Sequence, residues 1–346
     1  MVLSDRRFSR ALAQQRDPSR TVPAPDSRLQ LLAHLDPPEH TPFRKVFNSA
    51  FTAARAQQYK PLMEEIISSR LDQLASGKMH GDLVGEVFEP FSLQLVSDVM
   101  GLPAEGRDDL RVWSIAQHRT SISRQDFERD TDMVTSYFDR IVESRRLEAS
   151  ADIISEALCV RDTQGLEVTD SDVAAMAAGL FVTGVHALAD QLSLSSYLLF
   201  REPRKMTEFS GGQEFDSRYV DELLRCTPII QGPLRARCVV EDLELGGVHL
   251  RGGDLVLPLI SAANYDMEIF PDPLRLDFNR HKRPTLTFGF GVHFCQAAQF
   301  SRVAVAVVLA AMHNRFPGMR LAIPHLHLSL SQGKRIRSLE KIPVIW

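Results

Sequence analysis

Cysteine is scarce and scattered in this chain: four in 346 residues, at Cys159, Cys226, Cys238 and Cys295. No two form a CxxC pair, which argues against a zinc ribbon or a redox dithiol. In a reducing cytosol they are expected to remain free thiols, so a special cysteine must be special alone. Charge of one sign is also lacking. The net charge is -4, which excludes a general nucleic-acid binder. The one basic run, His281-Lys282-Arg283, reads as a solvated loop, with a partner patch as the alternative. The start, "MVLSDRRFSRALAQQ", has no apolar core of a secretory signal. Long hydrophobic runs are missing too: the best, Val303 to Met312, is far too short to span a bilayer. The expectation is a soluble, cytoplasmic protein with no membrane and no nucleic-acid partner. There is no internal repeat and no low-complexity linker. With 44% hydrophobic and 24% charged residues, the chain has ample material for a core and reads as a single domain over residues 1–346.

What is present is mostly helix-patterned. Apolar residues fall at helical spacing over Phe43 to Leu74, Val84 to Met100, Asp126 to Leu147 and Asp170 to Phe200, and again from Gln296 to Phe316. The second run stops at Gly101-Leu102-Pro103. Asp17 to Ser27 reads as a loop. "RCVVEDLELGGVHLRGGDLVLPL" differs: two glycine pairs separate short alternating runs, the pattern of hairpins. Short strands are expected once more in the last 26 residues or so. The fold class is mainly α with small β-sheets.

Residues 288–302, "FGFGVHFCQAAQFSR", place Cys295 where a helix begins. Unpaired N–H groups and the positive helix end favour a thiolate there. Gly289 and Gly291 allow tight turns and the close approach of backbone to a flat ligand. Aromatics around the sulfur shield it from water. A thiolate shielded in this way suits metal ligation, and a lone axial cysteine is one way in which heme iron is held. For a cysteine without such neighbours, a small inert hydrophobe is the better reading.

With these neighbours the stretch resembles the heme loop of the cytochrome P450 family, F-G-x-G-x-H-x-C-x-G-x-x-L-A-R. Phe288, Gly289, Gly291, His293, Cys295 and Arg302 match; Ala297, Phe300 and Ser301 depart. "ELLR", Glu222 to Arg225, resembles the family's E-x-x-R, with carboxylate and guanidinium one turn apart and able to pair. "ANYDMEIFPDPLRLDFNR" resembles the following segment, with Tyr265 where arginine is usual and Arg280 as third member of a buried network. "DPPEHTPFRKVF" resembles the opening of a helix that brings His40 and Arg44 to a heme propionate. Arg237 or Arg235, on one face of a strand, and His293 are the further propionate donors. Helix B of the family is matched by "VLSDRRFSR", and the helix and two strands usual before it are absent from this sequence.

The resemblance implies the cytochrome P450 fold and heme b, with Cys295 as the proximal iron ligand. His40, Arg44, Arg237, Phe288, Gly289, His293 and Cys295 form the cofactor set. It further implies a ferredoxin-type electron donor and a small or medium apolar, biosynthetic substrate. The pocket is expected from Gln14–Leu32, Trp113 to His118, Leu180 to Leu188 and Ile229 to Leu234. The expected activity is monooxygenation: hydroxylation, epoxidation or oxidative ring formation. One motif departs. Where the family has A-G-x-[DE]-T on the oxygen side, "TGVHA" gives Thr183, Gly184, Val185, His186 and Ala187. The acid is a histidine and the alcohol an alanine, so the substrate's own polar group, with ordered water, is expected to complete the proton path. Two other classes remain: a heme-thiolate enzyme without monooxygenation (peroxide-driven oxidase, cyclase or isomerase), favoured by this departure, and a non-catalytic helper, favoured by the short start.

Overall fold

The computed structural model describes residues 1–16, 31–119, 122–210, 217–230, 236–281, 283–334 and 336–346. Arg235, Lys282, the Asp17 to Ser27 stretch, most of Gln14–Leu32 and residues 231–234 therefore lie outside the described residues. The first third of the chain carries β1 (Phe8–Ser9), α1 (Arg10–Arg16), α2 (Leu31–His34), α3 (His40–Val46), α4 (Ala53–Gln58), α5 (Lys60–Ala75), β2 (His80–Asp82) and α6 (Glu89–Val99). There follow α7 (Arg107–Ile115), α8 (Arg124–Leu147), α9 (Ile153–Gln164), α10 (Asp170–Arg201), α11 (Pro203–Ser210) and α12 (Ser217–Cys226). Short strands β3 (Arg237–Val239), β4 (Leu243–Leu245), β5 (Val248–Leu250) and β6 (Leu255–Val256) lead to α13 (Ile260–Ala263). The chain closes with α14 (Ala298–Arg315), β7 (Arg320–Leu321) and β8 (Pro343–Ile345).

Local chemistry sets the boundaries. α10 starts at a capping box, in which Thr169 and Asp172 satisfy one another's backbone N–H groups. The Asp152 side chain accepts from two backbone N–H groups to open α9, and Gly165, at φ 59°, closes it. The single run expected over Phe43 to Leu74 is corrected: it is α3, a 3-10 turn (Ser49–Phe51), α4 and α5. Thr52 is extended and caps α4 through its hydroxyl, and Pro61 fits only the first turn of α5 because it has no N–H to donate. Likewise the run from Val84 opens as a π-turn segment (Val84–Phe88) before α6, where Pro90 falls in the first turn.

The expected small sheets are present. β1, β3 and β6 pair antiparallel, with Phe8 opposite Val239 and Arg237 opposite Val256. β2, β8 and β7 form a second sheet. β4 and β5 make a hairpin turning on Gly246 and Gly247, both at positive φ as a two-residue turn of this kind needs.

α10 is the axis of the core and packs against α6, α8 and α14. The sequence expectation that no segment nears a membrane-spanning composition is corrected here, because α10 is long and apolar enough to do so. Most of its most apolar window is buried inside the protein, and Asp190, Gln191, Ser193 and Ser195 are buried along it. It serves as a core helix.

Candidate active site

Cys295 stands three residues ahead of α14, half-buried, at the end of a loop closed on itself. Its N–H donates to Phe288 O at 2.9 Å, and the N–H of Phe294 to Gly291 O at 3.0 Å. Gly289 and Gly291 lie at φ 75° and 73°, where a side chain is strained. A Cβ on Gly291 would stand 2.4 Å from Leu3 O, so the sequence needs glycine there for space as well. The rings of Phe288 and Phe294 meet edge to face, 6.5 Å between centroids. Arg302, one turn into α14, places its guanidinium 4.7 Å from the centre of the Phe288 ring and bonds Asp221 of α12 at 2.6 Å. The loop is thereby held from both sides.

Behind it lies the network expected from "ELLR". Arg225, with no exposed surface, forks onto both Glu222 oxygens at 2.8 and 2.9 Å. Its Nη1 donates to the carbonyls of Asn264 and Pro273, and Arg280 Nε joins Glu222 at 3.0 Å. Tyr265, in the position where arginine was expected, donates its hydroxyl to Cys226 O at 2.6 Å. Burial pushes the Cys226 thiol up to about 12 despite Arg225 beside it, so this cysteine stays protonated. Burial also raises the Cys238 thiol.

The polar residues expected to hold a dianionic group converge. His40 of α3 and His293 of the loop pack edge to face at 4.9 Å. Each has a buried Nε2 without a hydrogen-bond partner among the described residues. Burial, then the neighbouring His293 and Arg44, push His40 down to about 4. Burial also lowers His293, with Arg237 and Arg10 pushing the same way against Asp36. Arg237 is buried in the middle of the β1–β3–β6 sheet. Arg44 donates to Val292 O at 2.9 Å, and burial lowers its pKa while the nearby Cys295 sulfur opposes the shift. Two buried ring nitrogens without a hydrogen bond beside Arg44 and Arg237 can take up acceptors that Asp36 alone does not supply, and so the residues fit heme carboxylates.

Sequence reading missed three supports. Asp36 accepts from Ser9 Oγ and from the N–H groups of Arg10 and Ala11, and stands 3.8 Å from His293 Nε2. Burial alone would raise its carboxyl; His293 and those donors hold it well below the usual carboxylate range. Arg10 is buried and ties Ala33 O to Ala236 O. Gln296 Nε2 fastens the loop to α3 through Arg44 O at 2.9 Å. Only Asp36, ahead of Pro37-Pro38, carries a local signal as a turn or cap residue.

Opposite the loop is α10. A partly open cavity of ≈ 460 Å³, open mouth included, lies between α10 and the start of α14, lined by Leu180, Gly184 and Leu188 on one side, by Ala297, Phe300 and Ser301 on another, and by Val96, Val99 and Met100 at the end of α6. Thr183 is exposed and Ala187 half-open in the middle of this otherwise buried helix. His186 turns away from them to α7, with Nε2 2.8 Å from Ser114 Oγ and its ring 4.4 Å from that of His118. Asp190, one turn further, is raised to about 7 by burial, and Lys334 Nζ lies 3.8 Å away.

A half-buried cysteine in a tight glycine loop ahead of a helix, a buried Glu–Arg–Arg network on α12 and a long apolar core helix are together the features that the resemblance to heme-thiolate proteins led us to expect. The family model for cytochrome P450 matches residues 217–319, the span from α12 through α14. Over 346 residues the chain is 34% identical to nocardicin C N-oxygenase of Nocardia uniformis subsp. tsuyamanensis, covering 100% of this chain and 86% of that one. It is 33% identical, with the same coverage, to mycinamicin IV hydroxylase/epoxidase of Micromonospora griseorubida. Among solved structures, the mixed-function P450 MycG matches with a TM-score of 0.89 at 32% identity, covering 100% of this chain and 87% of that one. HinD matches with a TM-score of 0.91 at 32% identity and the same coverage. The chain belongs to the cytochrome P450 family. Its cofactor is a heme bound through a thiolate, and its substrates are small molecules.

Proposed function

We propose that the chain is a cytoplasmic monooxygenase, folded as one domain over residues 1–346, that uses heme b and a ferredoxin-type donor. It hydroxylates, epoxidises or oxidatively closes a ring on a small or medium apolar molecule of biosynthetic origin. Relatives named for nocardicin C and mycinamicin IV support a substrate of that kind. Cys295 is the axial ligand, with Phe288 and Gly289 shaping its loop. His40, Arg44, Arg237 and His293 receive the propionates, while Thr183, His186 and Ala187 lie on the oxygen side. When bound, the heme supplies the oxidising chemistry; the protein supplies a dry pocket, charge pairing and a proton path. The observation that carries this reading is the buried Nε2 of His40, without a hydrogen-bond partner among the described residues, packed against His293, whose own Nε2 reaches only Asp36 at 3.8 Å.

The test is isotopic. With a donor ferredoxin and its reductase, ¹⁸O₂ should place one labelled oxygen in a hydroxylated or epoxidised product. Turnover with H₂¹⁸O₂ that labels the product, together with no labelled product from ferredoxin and ¹⁸O₂, would transfer the assignment to a peroxide-driven oxidase. The lack of a hydroxyl at Ala187 favours that second reading.

A further inference from the structure

Shortly before β8 the chain doubles back on itself. Leu330 pairs antiparallel with Leu339, the N–H of Ser331 donates to Ser338 O at 2.9 Å, and that of Glu340 to Ser329 O at 3.1 Å. Gly333, at φ 68°, makes the turn. This hairpin is strung between other elements. Lys334 near its tip pairs with Arg119, just beyond α7, and Ile336 with Ile230, beyond α12; the N–H of Arg337 donates to Ile229 O at 2.8 Å. Ser338 and Leu339 are buried on its inner side.

A carboxylate lies beneath it that the proposed function does not use. Asp190 is buried in α10. The charged groups that act on it from other elements are Lys334 of the hairpin and Glu89 at the start of α6. Lys334 Nζ stands 3.8 Å from Oδ1, within ion-pairing reach but too far for a hydrogen bond. Glu89, of like charge, opposes ionisation. The Ser338 hydroxyl, buried and outside ordinary hydrogen-bonding geometry, sits beside the same carboxyl group. On α10 itself His186 lies one turn earlier, kept neutral by burial, with His118, Lys334 and Arg111 acting the same way. A buried carboxylate with one cation at that distance and a like charge nearby is poorly stabilised when ionised, and burial raises Asp190 to about 7. α6 and α10 are packed core helices, so the hairpin is the part of the cover that can lift.

We infer that the hairpin of residues 330–339 is a pH-sensitive strap, shut over α10 while Asp190 is protonated and loosened when Asp190 ionises. Loosening lets water reach the carboxylate and releases the bridges to Arg119 and Ile230. With the strap loose, Asp190 meets water and titrates near the ordinary 3.9 or so. The shut form therefore binds more protons between that value and about 7, so shutting is favoured as the pH falls and is lost as it rises through 7. Lys334 works against the loosening, because it attracts the ionised carboxylate. A plain salt-bridge clasp would do the reverse and tighten as Asp190 ionises. The inference draws on neither the substrate nor the oxidant.

The test is hydrogen exchange, read by mass spectrometry on the heme-loaded protein over peptides covering residues 328–340 and corrected for the intrinsic pH dependence of exchange. Protection in the wild type should fall about tenfold from pH 6 to pH 8, the linkage of one carboxyl group titrating near 7. Asp190→Asn should remove the fall and be better protected than the wild type at pH 8. Lys334→Met should deepen the fall, because the ionised carboxylate then has no cation beside it. Protection that does not change between pH 6 and pH 8 in the wild type would overturn the inference. So would an Asp190→Asn variant less protected than the wild type at pH 8, which is the signature of a clasp. A fall shared equally by peptides from α5 would place the effect in global unfolding and overturn it as well.

Discussion

The cysteine loop before α14 and the window on the open face of α10 differ in how far neighbouring residues determine them. In the loop almost every polar group has an assigned partner. Gly291 has no room for a side chain, Arg302 bonds Asp221 and covers Phe288, and Glu222 is shared by two arginines. In the window, Thr183 lies open, Ala187 offers no polar atom, and His186 bonds Ser114 of α7. On the proposed function, the loop side holds one invariant object, a heme with its iron and two carboxylates. The window side meets whatever substrate the enzyme takes. A site of this kind can keep its cofactor half rigid in sequence while its substrate half changes, because the two halves are supported by different elements.

The strongest way to break the loop side is through its buried charge pair. Arg225→Ala leaves buried Glu222 with Arg280 and the Asp277 N–H, and should cost about 3 kcal/mol of unfolding free energy, the low end for a broken buried pair because a charged partner remains. Urea denaturation measures it; a midpoint unchanged from wild type would show that the network contributes nothing to the fold. Next in size, Arg44→Ala combined with Arg237→Ala should release most of the heme on a desalting column, since two cations facing the carboxylates are removed. Full retention would take both residues out of the cofactor set.

Much of the loop side was legible in the sequence because its spacing is fixed by turns, caps and one-turn ion pairs, which are local. The Phe288–Arg302 segment, the "ELLR" pair and the small hairpin at Gly246-Gly247 all follow from such patterns. Arg10 and Gln296 were not legible, since each acts on residues far away in the chain, and Asp36 carried only a turn signal that did not reveal its partners Ser9, Arg10 and His293. The break of Phe43 to Leu74 into four pieces was missed because apolar periodicity ran on through Thr52 and Pro61, whose capping and missing N–H ended the turns. On the window side the departure at His186 and Ala187 was plain, but not the direction of the His186 ring. That depends on Ser114, 72 residues earlier.

A smaller effect separates the two sides by pH. In heme-free protein His40 is held down to about 4, whereas in the unfolded chain it titrates near 6.5. The unfolded state binds the extra proton in that window, so His40 contributes stability that is complete above about pH 6.5 and is lost as the pH falls toward 4. His186 and His293 act in the same sense; Asp190, raised to about 7, acts in the opposite one. The wild type should thus lose more stability than His40→Gln between pH 6.5 and 4, measured by urea midpoints. Parallel losses would show that His40 is not held neutral.

The smallest expected effect is on the window. Ala187→Thr places a hydroxyl on the open face of α10, and for substrates without a donor near the iron it should raise product formed per reductant consumed by about twofold to tenfold, within the range of a single hydrogen bond. An unchanged ratio would mean that proton supply does not pass through this face.

We propose that Cys295 alone ligates the iron, in the cradle built by Gly289, Gly291, Phe288 and Arg302. The reduced carbon-monoxide difference spectrum reads the ligand directly. Wild type and Cys226→Ser should show the strongly red-shifted band of a thiolate-ligated heme, and Cys295→Ser should lose it while still folding. The band persisting in Cys295→Ser, or vanishing in Cys226→Ser, would contradict the assignment.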